Sequence, residues 1–286
     1  MAVADMASVF EQQDVVEDEP RSQRAWTERG WSWIWPKLVA IALVLGAWQV
    51  VVWSGWKPDY VLPGPVAVFQ RLGNDLSHAD FYVGVGITLR RALVGYLVAA
   101  AAGSVVGILV ARITVLRRAI GSAILGLQSM PSIAWFPLAI LLFQQSETAI
   151  IFVVILGAAP AIAAGLLSGV DHVQPLLIRV GHVMGARGLV MYRHVILPAA
   201  LPSFVGGLKQ GWAFAWRSLM AGEIIVIVSH SPSIGQQIQF ARDLADAEQL
   251  LAIMIVIFII GVVIDAWFGV LDREIRRRWG LVGVEA

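Results

Sequence analysis

From position 31 onward, long apolar stretches alternate with short polar ones. A helix crosses the hydrocarbon core with roughly 20 mostly apolar residues. Six stretches reach that length: Pro36 to Gly55, Thr88 to Ala111, Ile120 to Phe143, Ala149 to Val170, Ser203 to Val228 and Leu250 to Leu271. Trp31, Trp33, Trp35, Trp53 and Trp56 bracket the first at positions suited to the membrane interface. The turn Leu62-Pro-Gly-Pro65 follows it and leads into a short amphipathic helix. Pro131 and Pro137 interrupt the third stretch and predict a kink there. Residues 1–30 are polar, acid-rich and aperiodic, and lack the apolar run and cleavage site of a signal peptide. They read as a disordered tail. The pattern predicts an all-α polytopic membrane protein with six transmembrane helices.

Composition agrees and narrows the function. Hydrophobic residues make up 58% and charged residues 14% of the 286, against roughly 25% charged in soluble domains. A net charge of +1 gives no basic surface for nucleic acid. The absence of cysteine removes disulfide, thiolate and cysteine-metal chemistry. The lysines are Lys37, Lys57 and Lys209, and none follows a phosphate-cradling glycine run. No nucleophile elbow, His-Glu-x-x-His motif or metal-suited carboxylate cluster is present, and His78, His172, His182, His194 and His230 stand apart from one another. A non-catalytic membrane protein without a metal site is expected.

Lysine and arginine near the span ends set the expected orientation. A cytoplasmic N-terminus places Arg112, Arg117, Arg118, Arg179, Arg187, Arg193, Arg273, Arg276, Arg277 and Arg278 on the cytoplasmic side. Only Arg242 then falls in the long outer loop before the last span, while Arg90 and Arg91 are exceptions near the outer end of span two. Both termini are expected inside.

Arg179–Pro198 is a basic, polar island between spans four and five. It reads as a short helix, a break at Gly185, a second short helix and a stop at Leu197-Pro198. An island of this form suits the docking of a soluble partner. Within the spans, Gly95, Ala99, Gly103, Gly107 and Ala111 share one helix face, as do Gly157, Ala161, Gly165 and Gly169. Small residues at four-residue spacing serve close helix packing, or seams along which helices slide. Gln128, Ser129 and Ser132 put polar groups beside the third-span prolines, either lining a wet pathway or accompanying a structural kink.

Lys209, Arg217, Glu223 and Asp265 are ionisable groups within the last two spans, where charge is costly unless it faces the interior or a partner. Lys209 lies six residues past Ser203 and Asp265 seven before Asp272, both about 9–10 Å deep, so a structural Lys209–Asp265 pair competes with substrate contact. Arg217, about 21 Å along span five from Ser203, faces an anion or links to Glu223 or a backbone carbonyl.

Several motifs occur in the order found in one family. Thr88-Leu-Arg-Arg-Ala-Leu-Val-Gly95 resembles the start of the core domain in permease subunits of ATP-driven importers. Pro131-Ser-Ile-Ala-Trp-Phe-Pro-Leu138 is similar to the Pro-x-x-Ala-x-x-Pro-Leu segment of the aliphatic-sulfonate, taurine and nitrate permeases. Leu62-Pro-Gly-Pro65 and Ala215-Trp-Arg-Ser-Leu-Met-Ala-Gly-Glu223 resemble further blocks of that family. The island resembles its coupling (EAA) loop, although Arg179-Val180-Gly181 stands where Glu-Ala-Ala is usual.

This resemblance, over roughly residues 36–280, implies the type I (MetI-like) ABC importer permease fold. It implies a cytoplasmic tail at 1–30, a first transmembrane helix and external amphipathic segment at 31–85, a permease core at 86–275 with the coupling loop at 171–198, and a tail at 276–286. A homodimer in a bacterial inner membrane would form the pathway. Two cytoplasmic ATPase subunits would hold ATP and Mg, this chain would bind no cofactor, and an external binding protein or lipoprotein would deliver a small, anionic solute. The coupling residues would be Arg179, His182, Gly185, Ala186, Arg187, Tyr192, Leu197 and Pro198. An importer of a heteroaromatic nutrient such as a thiamine-precursor pyrimidine is the alternative, and after it an ion-coupled secondary transporter.

Overall fold

The structure is a computed structural model that describes residues 24–229 and 231–278, with side chains from residue 35. His230 and the greater part of both predicted tails lie outside the described residues. There are two compact units, Met1–Pro58 and Asp59–Ala286. The first carries α1, Arg24–Trp53, which includes Pro36. Residues 24–30, read as tail, belong to this helix, because once a long apolar helix has nucleated each added residue gains a hydrogen bond.

In the second unit, α2 spans Pro65–Asp75 and α3 spans Ala79–Arg112. Pro65 opens α2, where its missing N–H has no intrahelical partner to lose. α4, Thr114–Ser129, is followed by a 3₁₀ turn at Ser132–Trp135 and by α5, Phe136–Phe143. Next come α6, Glu147–Asp171, and α7, Pro175–Val183. A short turn at Leu189–Met191 and a π-helical turn at Tyr192–Ile196 run into α8, Leu197–Ile225. α9, Ile234–Asp243, and α10, Ala247–Arg278, complete it. No strand occurs among the described residues.

Among the described residues, five helices are long and apolar enough to cross a membrane, and α4 with α5 forms a pair bent by 103° that brings the number to six if it is one span. The expected kink is thus a full elbow, and its cause is Pro131 alone. Met130, preceding that proline, is extended (φ −74°, ψ 129°), as the clash with the proline ring demands. Pro137 falls in the first turn of α5, where it starts a helix and does not bend one.

α6 is the central helix. On one side Gly103 of α3 meets it so closely that a Cβ there would lie 2.6 Å from the Ala159 carbonyl oxygen. On the other, a Cβ on Gly165 would lie 2.4 Å from the Gly207 Cα of α8. The small residues are helix contacts, and backbone approach is what they supply. The main core lies here, with Ile150, Val153, Val154, Ile162, Phe136 and Leu219 among its buried members.

Candidate functional site

The island is built on its own small core. Val173, Met191 and Ile196 are buried and packed by Val170, Ile178, Ala186, Tyr192, Val195 and Ala199. α7 ends at Gly185, whose φ of +84° suits glycine. There Gly185 N–H donates to the His182 carbonyl and Ala186 N–H to the Gly181 carbonyl, a Schellman closure. Gly181 is buried, and a Cβ there would lie 2.9 Å from Met191 Sδ, so a small residue seats the helix on its base.

The expected stop at Leu197-Pro198 is absent. Leu197 N–H reaches back five residues to the Tyr192 carbonyl, and this π turn absorbs the donor that Pro198 lacks. The chain therefore continues into α8 as one element, and both residues are half-buried. Tyr192 is also half-buried, and its hydroxyl donates to the Ala111 carbonyl of α3 at 3.4 Å. Arg117 and Asp171 form an ion pair that joins α4 to α6.

Arg179, His182, Gly185, Arg187, Arg193 and His194 are exposed. With them stand apolar side chains that the sequence reading missed: Leu176 is 61%, Val183 89%, Met184 81% and Leu189 62% exposed. Leu176, Val180, Val183 and Met184 follow the i, i+4, i+7, i+8 spacing of a helix stripe, which was the available signal. An apolar tip with a basic rim has the character of a protein interface.

At the far end of α8 a buried polar network joins four helices. Glu223 is 1% exposed, and Arg91 Nη1 donates to its Oε1 at 3.0 Å. Its Oε2 accepts from Thr88 Oγ1 at 2.9 Å and from Gly235 N–H at 3.1 Å. Thr88 Oγ1 accepts from Ile234 N–H at 3.0 Å, so the first two free donors of α9 are capped by this network, and Ser233 Oγ accepts from the third, Gln236 N–H. Arg91 also donates through Nε and Nη2 to Glu147 Oε1, and Arg90 pairs with the same carboxylate. Thr88 and Arg91 share a face of α3 at i, i+3. Glu147 opens α6, where the helix dipole favours an anion.

Glu223 is therefore removed from the pathway candidates, since both oxygens are engaged away from any opening. Lys209 Nζ lies 3.2 Å from Asp265 Oδ1, the geometry of an ion pair. Gln128 and Ser132 are half-buried and Ser129 is exposed at the elbow. Ser132 and the buried Ser218 both stand at Gly157, where a Cβ would lie 3.5 Å from one and 2.5 Å from the other. Arg217 is exposed, and its Nε donates to the Ala213 carbonyl at 3.0 Å, not to Glu223. No group of three or more metal-ligating side chains occurs among the described residues.

A family described as the binding-protein-dependent transport system inner membrane component matches residues 103–277, more than half of the chain. The chain belongs to this family. The permease is 27% identical to a putative aliphatic sulfonates transport permease protein of Bacillus subtilis (strain 168), over 85% of this chain and 87% of that one. It is 28% identical to the nitrate import permease protein of Leptolyngbya laminosa, over 84% and 87%. In structure it is similar to a chain of the MetNI methionine ABC transporter in an inward-facing conformation (TM-score 0.59, 21% identity, 67% of this chain and 94% of that one). The permease is thus a non-catalytic membrane subunit of an ABC importer, with ATP hydrolysis in a separate subunit.

Proposed function

We propose that the permease works as a homodimer, carries a small oxyanion such as a sulfonate or nitrate delivered by an external binding protein, and docks two cytoplasmic ATPases through the island. ATP and Mg reside in those partners, and the permease binds no cofactor of its own. The supporting observation is the island's tip. Leu176, Val183, Met184 and Leu189 are exposed beyond the ends of the membrane helices, with Arg179, His182, Arg187 and Arg193 around them. Such a surface in a membrane protein needs a soluble partner to cover it. The names of the sulfonate and nitrate relatives support the oxyanion. Arg112 closing α3, Arg117 and Arg118 in α4, Arg179 in α7 and the arginines closing α10 support a cytoplasmic placement of the island and both termini.

The island is also mechanically suited to coupling. Tyr192 ties it to the end of α3, and the π turn makes it continuous with α8. A pull on the tip therefore acts on two spans together. The elbow residues Gln128, Ser129 and Ser132 remain in the proposal as pathway lining. Co-purification with the cognate ATPase tests the docking role. Gly185→Pro forces φ near −65° where the chain needs +84°, so ATPase association is expected to vanish while the membrane part still assembles. The Arg187→Glu/Arg193→Glu double variant is expected to behave likewise, and unchanged co-purification of both would remove the island from the interface.

A further inference from the structure

The helices of this unit differ in what they expose. α10 turns Met254, Phe258, Ile259, Val262, Val263, Trp267 and Val270 outward, a stripe suited to lipid. α3 does the same with Leu93, Val94, Leu97, Val98, Val105 and Leu109. α8 does not. Its exposed residues are Ser203, Gln210, Arg217 and Ile225, at spacings of seven, seven and eight, and three of them are polar. At 100° per residue a seven-residue step returns to nearly the same face, so these residues form one stripe about 21 Å long from Ser203 to Arg217. Gly206 borders it with open space where a Cβ would be.

Arg217 is the charged member and it is held in place by its own helix. Its Nε donates to the Ala213 carbonyl at 3.0 Å, and its guanidinium lies 5.0 Å from the Phe214 ring centroid. Arg217 is exposed, and among the described residues neither terminal nitrogen has a hydrogen-bond partner. Two other cations well inside the spans are answered by carboxylates: Lys209 by Asp265, Arg91 by Glu147 and Glu223. Among the described residues no carboxylate answers Arg217. A guanidinium deep in a membrane helix is costly against lipid and is found facing water or a partner. The free Nη1–Nη2 edge of this planar fork matches two coplanar oxygens of an oxyanion.

We infer that the Ser203–Gln210–Arg217 stripe of α8 lines the aqueous path, and that Arg217 is the group that makes this path favour small oxyanions over cations. The inference rests on the importer reading and gives it a specificity residue. Ser203 and Gln210 supply hydrogen bonds along the route toward the island end, and the single fixed charge attracts an anion without enclosing it. Release is thereby kept easy.

The chain has no cysteine, so a thiol introduced on the stripe is the only one in the permease, and labelling is read on the permease band. The full permease–ATPase complex carrying Gln210→Cys is treated in membranes with two methanethiosulfonates of similar size, one bearing a sulfonate and one a quaternary ammonium. With each rate divided by that reagent's rate on a small free thiol, the sulfonate reagent is expected to react about ten-fold faster, as a fixed charge in a narrow site raises the local concentration of its counter-ion. Adding Arg217→Gln is expected to bring the ratio to about one, and Arg217→Lys to keep most of it. Val262→Cys on the lipid-facing stripe of α10 is expected to stay unlabelled. A Gln210→Cys thiol that resists both reagents means that the stripe is covered by a second copy, and the inference falls. A ratio unchanged by Arg217→Gln also overturns it. Loss of ATPase co-purification with the unsubstituted permease would instead sink the importer reading, a result distinct from either labelling outcome.

Discussion

Glu223 shows how much a single side chain in this bundle can hold. One carboxylate fixes Arg91 on α3, Thr88 one turn away and the first turn of α9, with no lone oxygen left over. A buried pair that loses one partner leaves an uncompensated charge, at a cost of about 3–5 kcal/mol. Glu223→Ala is therefore expected to lower the thermal midpoint of the detergent-purified complex sharply, or to prevent its accumulation. Glu223→Gln keeps an oxygen for the Gly235 N–H, and a clearly smaller loss is expected in the same assay. Equal losses would mean that the charge contributes nothing beyond shape. Part of this site was legible in the sequence. Arg90 and Arg91 stood out as exceptions to the charge pattern, and Glu223 as an acid within a span. Their partnership was not, because Arg91 and Glu223 are 132 positions apart and helix spacing links only near neighbours.

At the scale of elements, the helices themselves were readable because apolar periodicity and length decide them. Their ends and breaks were less so, and each miss has a local cause. Pro137 and Pro198 looked like interruptions, but a proline in a first turn, or after a π turn, leaves no donor missing. The small-residue faces of α3 and α6 were visible as spacing, while the partner of each face required the fold. Two glycines with different surroundings, Gly165 of α6 and Gly206 of α8, test this packing. A Cβ on Gly165 would sit 2.4 Å from the Gly207 backbone, whereas one on Gly206 meets nothing within 4 Å. Gly165→Ala is expected to cost about 1–3 kcal/mol through overpacking. Gly206→Ala is expected to be neutral or to stabilise by about 0.5–1 kcal/mol, through the lower backbone entropy of alanine. Fluorescence-detected size exclusion after graded heating compares the two, and a Gly165→Ala variant as heat-stable as Gly206→Ala would contradict the close α6–α8 seam.

For the whole molecule, the decisive matter is which end faces the cytoplasm, since ATPase docking depends on it. The island end carries Arg112, Arg117, Arg118, Arg179, Arg187, Arg193 and the arginines closing α10. The opposite end has Arg71, Arg90, Arg91 and Arg242, and each of these is tied to a carboxylate: Arg71 to Asp246, Arg90 and Arg91 to Glu147, Arg242 to Asp243. What looked like an exception in the charge count is thus locally neutralised, whereas at the island end Arg117, Arg276 and Arg278 are paired with carboxylates and the remaining arginines keep an excess of positive charge. A cysteine-free chain makes the orientation directly measurable. Met184 is 81% exposed at the island tip, and Asp243 is exposed where α9 ends. Asp243→Cys is expected to react with a membrane-impermeant maleimide on intact cells, and Met184→Cys only after the membrane is permeabilised. Labelling of Met184→Cys on intact cells would reverse the topology and take the island out of reach of any cytoplasmic ATPase. If the expected pattern holds, co-expression of the ATPase should further slow Met184→Cys labelling in the permeabilised membranes while leaving Asp243→Cys unchanged. Topology and docking are thereby tested on the same two positions, and protection confined to Met184 is what a partner seated on an apolar tip requires.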